Sequence, residues 1–294
     1  MAQLSGLSGA SPLKPQTPRT RRVMQWLRAN SVLLLGFLIL GYLLAPIAVV
    51  LLLSFNQPES RNTTYVLDFD DFHFTLNNWT DMFGPAGLRD ALIMSLIIAT
   101  LAALAATVLG TGIAFALARY RFRARSTVQA IIFLPMATPE IVMGSSLLTL
   151  FIGLGIPLGF WAILIAHVMF CLSFVVVTVK ARLAGLDPRL QKAAMDLYAT
   201  PFQAFRSVVL PLVWPGILAG ALLAFSLSFD DFVVTNFTAG TEQTFPMYVW
   251  GINLRGIPPQ VNAVASATFL ISLVFVIAGQ LRMRRRSDDR AATS

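Results

Sequence analysis

Gly185-Leu-Asp-Pro-Arg-Leu-Gln-Lys-Ala-Ala-Met-Asp-Leu-Tyr-Ala-Thr-Pro-Phe-Gln-Ala-Phe-Arg-Ser-Val-Val-Leu-Pro211 is a polar interruption between two long apolar runs. Asp187 before Pro188 reads as an N-cap followed by proline at the first helical position, where its missing N–H costs nothing. Thr200 before Pro201 repeats the signature thirteen residues later. The spacing predicts two short helices meeting at an angle, with the chain entering the next apolar run near Pro211. In the first helix Leu190, Ala193, Ala194 and Leu197 fall at i, i+3, i+4 and i+7, a narrow apolar face with small residues at its centre. Such a face on a polar loop suits the groove of a partner, or packing on the chain's own helices.

The flanking runs set the solvent. Of 294 residues, 56% are hydrophobic and 12% charged, about half the roughly 25% charged residues of soluble domains. A soluble fold cannot hide that much apolar surface, so the surroundings must be lipid. A hydrocarbon core of about 30 Å takes roughly 20 apolar residues per helix. Six stretches qualify: 31–55, 91–117, 128–156, 158–179, 214–236 and 261–281. The expected fold is an all-α membrane protein with six transmembrane helices. The third stretch is interrupted by Pro135 and Pro139, and Thr138-Pro139-Glu140 reads as the N-cap and first two positions of a new half-helix.

Basic residues orient the bundle. With the N-terminus inside, 19 of the 22 Lys and Arg residues fall on the cytoplasmic side, leaving Arg61, Arg89 and Arg255 outside. The positive-inside bias therefore puts both termini in the cytoplasm. The formal net charge of +8 is then a topology signal, and no nucleic-acid partner is expected. Residues 1–22 read as a disordered basic tail and 23–55 as an uncleaved signal-anchor helix, because the apolar run is long and lacks a small-x-small cleavage site. An extracytoplasmic segment follows over 56–87. The core spans 88–282 with the loop at 184–211, and 283–294 form a second basic tail. The outer acids Glu59, Asp68, Asp70, Asp71 and Asp81 make either a solvated loop or a weak lure for cations, screened by salt within about 10 Å.

Several chemistries are excluded. One cysteine, Cys171, permits no disulfide within the chain, and with His73 and His167 it leaves too few ligands for a zinc site. A nucleotide-binding loop needs Gly-Lys-Ser/Thr, and Lys14, Lys180 and Lys192 all lack the preceding glycine. Neither Gly-x-Ser-x-Gly nor His-Glu-x-x-His occurs, which removes the common intramembrane hydrolases.

Three acids lie inside apolar runs: Glu140, Asp230 and Asp231. Each costs about 2.5–3.5 kcal/mol at a helix centre on insertion scales. Adjacent residues of a regular helix point about 100° apart, so one aspartate is expected to face a path and the other to bond a neighbouring helix. Carboxylates interleaved with Phe229, Phe232, Tyr248 and Trp250 suit a cation whose ammonium groups are separated by methylenes, through cation–π contact. Glu140 either caps its half-helix or lines the path. His167 reads as a bonded interior histidine, with a proton relay as the alternative.

The loop resembles the permease signature of bacterial ABC importers, Glu-Ala-Ala-x3-Gly-x9-Ile-x-Leu-Pro. Here it runs Lys192-Ala193-Ala194, Tyr198, Val208, Leu210, Pro211. Lys192 stands in place of Glu, reversing a charge that meets the ATPase. Tyr198 stands in place of Gly, so the turn is expected to use ordinary backbone angles or another shape. Arg119-Tyr-Arg-Phe-Arg123, Thr138-Pro-Glu-Ile-Val-Met143, Leu158-Gly-Phe-Trp161, Cys171-Leu-Ser-Phe-Val-Val-Val-Thr-Val179 and Ser228-Phe-Asp-Asp-Phe-Val-Val234 extend the likeness to the second permease subunit of spermidine/putrescine importers.

The resemblance implies the type I importer permease fold in a bacterial inner membrane. It also implies a homologous permease partner, two copies of a cytoplasmic ATPase and an extracytoplasmic binding protein. Lys192, Ala193, Ala194, Leu197, Tyr198, Leu210 and Pro211 would couple to the ATPase. This chain would bind no cofactor, ATP and Mg being held by the ATPase. An ion-coupled secondary transporter is the rival reading, but it leaves the cytoplasmic helix without a purpose.

Overall fold

The computed structural model describes residues 30–57, 72–120, 122–187, 189–253 and 258–292. The expected tail 1–22, Arg28, Glu59, Arg61, Asp68, Asp70, Asp71, Arg121, Pro188 and Arg255 lie outside the described residues. The named elements are helices: α1 (Ser31–Leu53), α2 (Asn77–Thr80), α3 (Leu88–Arg119), α4 (Arg125–Ala137), α5 (Glu140–Gly153) and α6 (Phe160–Ala184). After the loop come α7 (Arg189–Asp196), α8 (Pro201–Ala204), a π-helical turn (Phe205–Val209), α9 (Leu210–Asp230), α10 (Val233–Thr238), α11 (Phe245–Asn253) and α12 (Pro259–Ala292). Among the described residues, the one isolated bridge pairs Asn56 with Phe74.

Among the described residues, four helical stretches are long and apolar enough to cross a membrane: Ser31–Leu53, Leu88–Arg119, Phe160–Ala184 and Pro201–Asp230. The pair α4 and α5, bent by 109°, makes a fifth if it counts as one broken span. The apolar part of α12 recognised as such is shorter, Pro259–Val274, yet its helix continues to Ala292 through the segment expected as a tail. Arg, Met and Ala there are strong helix formers, so the helix has no local reason to stop.

α3, α6 and α9 pack on one another as the core. The seam of α3 is rich in small residues, because in lipid close backbone approach and dispersion replace the hydrophobic driving force. Its buried face includes Ala99, Ala102, Ala103, Ala106, Gly110 and Ala114, which receive larger side chains such as Val175 of α6. A Cβ built on Gly110 would lie 2.8 Å from Val175 Cγ1 of α6. Gly110→Val is therefore expected to push α3 from α6 and to cost about 1–3 kcal/mol, the usual range for overpacking. An unchanged thermal unfolding midpoint for the purified protein would contradict this. Cys171 Sγ donates to the Ala224 carbonyl at 3.3 Å, joining α6 to α9.

α1 stands apart. It packs on α12, and along its length only Leu53 is buried. Its far end is tied down by α2, where Asn78 Nδ2 donates to the carbonyls of Ser54 at 3.0 Å and Asn56 at 2.9 Å.

Two expectations about helix ends need correction. Thr138 does not cap α5: its hydroxyl donates back to the Leu134 carbonyl at 2.7 Å, and it closes α4 in an extended conformation. A residue before proline is pushed out of the α region, so Thr138 is the last residue α4 can reach and Pro139 takes the position before α5. The fifth run does not continue to Asn236 as one helix. α9 stops at Asp230, Asp231 is extended, and the short α10 begins at Val233.

Candidate functional site

Those two helix breaks lie together. α10 packs on α5, and the contact is so close that a Cβ on Gly144 would sit 2.5 Å from Phe237 Cδ2. The packing carries the carboxylates of Glu140 and Asp230, ninety residues apart in sequence, into electrostatic range of each other. Both are exposed on the single chain. Asp231, next to Asp230, is almost fully buried.

The break explains how neighbouring aspartates face different surroundings. Asp231 Oδ2 accepts from the Thr235 backbone N–H at 2.8 Å and from its hydroxyl at 2.7 Å, while Oδ1 accepts from the Val234 N–H at 3.4 Å. These bonds satisfy the orphan donors at the start of α10, the usual work of a capping carboxylate. His167 of α6, 1% exposed, completes the cluster. Its Nδ1 lies 2.7 Å from Ser228 Oγ, and its Nε2 lies 3.0 Å from Thr235 Oγ1 and 3.4 Å from Asp231 Oδ2. All protons find acceptors if the Ser228 hydroxyl donates to Nδ1, Nε2–H donates to Thr235, and Thr235 donates to Asp231. The interior reading of His167 fits this geometry.

The aromatic candidates separate. Phe229 is stacked between Phe225 and Phe245, with ring centroids 6.0 and 6.3 Å away. Phe232 and Trp250 pair at 5.2 Å, and Trp250 remains exposed. Tyr248, by contrast, is only 6% exposed and packs in a cluster with Leu88, Ala91, Val261 and Val264. Its ring is core, so it lines no open surface of this chain. Ser228 and Thr235 were not singled out by sequence reasoning. The available signal was their position seven apart around Asp230-Asp231, two hydroxyls in an apolar run that also holds buried acid.

At the other end of the bundle lies the loop. α7 is short and amphipathic, and none of its residues is buried. Lys192 and Ala193 are exposed, Ala194 is half-buried, and Leu197 is 81% exposed. A cleft of about 300 Å³ separates α7 from the bundle, lined by Phe115, Arg119, Leu183, Leu190 and Val209 among others. Arg119 bonds Gln191 across it. Arg182 Nε donates to the Leu212 carbonyl at 3.0 Å, bracing α6 against the start of α9. Basic residues read as topology signals thus also act as struts.

The second loop helix is not separate. Thr200 caps α8 in a capping box with Gln203, its hydroxyl accepting at 3.3 Å and its N–H donating at 2.9 Å. From there helix runs unbroken through the π turn to Asp230. Pro211 offers no N–H to the Ser207 carbonyl, and its ring would crowd that carbonyl in a regular helix. The wider π turn just before it, with Leu210 N–H reaching back to the Phe205 carbonyl, relieves the conflict. Leu210 and Pro211 therefore sit inside a continuous rod.

Tyr198 overturns the expectation of ordinary backbone angles. Its φ is +64°, the left-handed conformation, with its ring 98% exposed. The turn keeps the backbone that suits glycine and accepts a tyrosine there, at a cost of about 1–2 kcal/mol. Tyr198→Gly is expected to slow amide exchange over 185–211 about fivefold, corresponding to about 1 kcal/mol of relieved strain. Equal or faster exchange would count against that strain.

Residues 106–287 match the family described as binding-protein-dependent transport system inner membrane component. The chain is 40% identical over 253 residues to the spermidine/putrescine transport system permease protein PotC of Haemophilus influenzae, covering 85% of this chain and 95% of that one. It is 37% identical over 267 residues to the putrescine transport system permease protein PotI of Escherichia coli K12, covering 86% and 90%. Among solved structures, a bacterial ABC transporter importing alginate matches with a TM-score of 0.64 at 16% identity, covering 91% of this chain and 99% of that chain. The methionine transporter MetNI in an inward-facing form matches at 0.55 and 18% identity, covering 66% and 92%. The chain accordingly belongs to the binding-protein-dependent transport system inner membrane components, multi-pass membrane transport subunits rather than enzymes.

Proposed function

We propose that this chain is the permease subunit through which a polyamine, spermidine or putrescine, crosses the inner membrane in an ATP-driven importer. The observation that carries the substrate class is the packing of two helix breaks, at Pro139 and Asp231, that leaves the Glu140 and Asp230 carboxylates exposed within electrostatic range, with Phe229, Phe232 and Trp250 on the adjoining segments. Carboxylates neutralise ammonium groups, and aromatic faces accept both methylenes and cations. The two relatives named for spermidine and putrescine support the same class.

The full span count is six, with α4–α5 as a broken third span and α12 as the sixth. Both termini are cytoplasmic, as the distribution of basic residues requires. A homologous permease completes the path, and an extracytoplasmic binding protein delivers the substrate; one alginate importer was solved with its ligand-bound periplasmic protein. Two ATPase copies grip α7 of each permease. Closing of the ATPases on ATP moves α7, and the continuous helix from Pro201 to Asp230 carries that motion to the acid pair. A rod works as a lever only if stiff, and the Thr200–Gln203 capping box fixes its starting end.

Reconstitution with the partner permease, ATPase and binding protein tests the reading. Labelled spermidine is expected to enter proteoliposomes only with ATP and to be indifferent to an uncoupler. Uptake that persists without ATP and collapses with an uncoupler alone would establish the ion-coupled rival instead.

A further inference from the structure

The buried cluster of His167, Ser228, Thr235 and Asp231 ties three helices at one point: α6 supplies the histidine, α9 the serine, and α10 the threonine. No member of it is needed to make a membrane-spanning bundle, and four polar side chains in lipid are costly unless all are satisfied. Their bonds converge on the residue where α9 ends. Asp231 can leave the helix because its carboxylate captures the first N–H groups of α10 and its outer oxygen is held by Thr235 and faces His167. Extended geometry at Asp231, in turn, decides how α10, and the α5 packed on it, are aimed relative to the end of α9 that carries Asp230.

We propose that His167, through Thr235, is a positioning residue for transport: it locks the break at Asp231, and so fixes how α10 and α5 pack and how far the Asp230 carboxylate stands from Glu140. This rests on the polyamine-path reading of Asp230. Without the lock, the Asp231 carboxylate keeps the first N–H groups of α10 but loses the Thr235 hydroxyl and the facing imidazole, so continued helix through 231 competes with the break. Each residue added to α9 would turn the following chain by about 100°, and so re-aim α10 and the α5 packed on it relative to Asp230.

The test separates position from transport. In a Cys171→Ala background, spin labels at Glu140→Cys and Asp230→Cys report the distance between the two positions in the assembled transporter. A single narrow distribution is expected, broadened and shifted by Thr235→Val or His167→Phe and restored by His167→Gln, which keeps a donor and an acceptor. With the native acids in place, Thr235→Val is expected to lower spermidine moved per ATP hydrolysed about tenfold, the scale of loss from misplacing a reacting or binding group, at unchanged amounts of assembled complex. Distances that ignore Thr235→Val and His167→Phe would overturn the proposal, as would a glutamine no better than phenylalanine. So would shifted distances with undiminished transport per ATP. If His167→Phe fails to assemble, Thr235→Val alone decides. Should Asp230→Asn leave transport untouched, the path reading falls, while the distance measurement still reports whether the cluster sets the break.

Discussion

Ala194→Asp is expected to strip the ATPase from the transporter while leaving the permease in the membrane. Ala194 is half-buried at the centre of the apolar face of α7, flanked by exposed Ala193 and Leu197. In the proposed assembly that face would lie in a groove of the ATPase, where a carboxylate would lose its water with no cation to receive it. An uncompensated buried charge costs about 3–5 kcal/mol, or at least a hundredfold in affinity. The effect on the helix itself is small, because a negative side chain in the last turn opposes the dipole by only about 0.3–1 kcal/mol. Detergent-solubilised complexes should therefore yield permease pairs without ATPase, and ATP-dependent uptake should vanish. Normal co-purification of the ATPase would remove α7 as the point of attachment. Lys192→Glu, on the exposed edge of the same helix, is expected to weaken association by less and in a salt-dependent manner, as rim charges do.

Asp230→Asn and Asp231→Asn should fail in different ways although the residues are adjacent. Asp230 is exposed and within electrostatic range of Glu140, and the hydrogen bond to its carboxylate comes from its own backbone. Its amide variant keeps the shape and removes the charge. Spermidine transport per assembled complex is expected to fall about tenfold to hundredfold, the worth of one charge-assisted bond of about 1.5–3 kcal/mol, with expression unchanged. Asp231→Asn instead removes an acceptor from Thr235 in a buried cluster and presents an NH2 group to His167 Nε2–H. The expected outcome is less folded protein, with transport per surviving complex changed far less. Uptake rates normalised to complex recovered from the same membranes measure both. Undiminished transport by Asp230→Asn would return that residue to a structural role and take the substrate argument with it.

Much of the architecture was legible because lipid imposes a crude, strong requirement on sequence. The runs at Ser31–Leu53, Leu88–Arg119 and Phe160–Ala184 are uninterrupted, and the helices match the expected spans closely. The proline-broken third run was visible as broken, though not its 109° bend. Local rules failed where two local preferences competed. Thr138 could cap forwards or bond backwards, and the proline behind it decided for the latter. Pro211 promised a break, but a π turn upstream absorbed it. Tyr198 was expected to avoid positive φ, yet it adopts +64° within a turn closed by bonds from Leu197, Tyr198 and Ala199 N–H to the α7 carbonyls. At Asp231 the same competition ended a helix within an apolar run that gave no hint of ending.

From its residues alone this chain is a multi-span membrane protein, with a short amphipathic helix between its fourth and fifth apolar runs. Those properties follow from transfer free energies and helix periodicity, which act residue by residue and can be read in order. The tertiary structure alone decided that Asp231 is a buried cap while Asp230 is open, that Tyr248 belongs to the core, and that the helix of Glu140 packs on the one that follows Asp230. Each depends on which group finds a partner on another helix. That pairing is set by packing between residues sixty or more apart in the chain and leaves no periodic trace in the sequence.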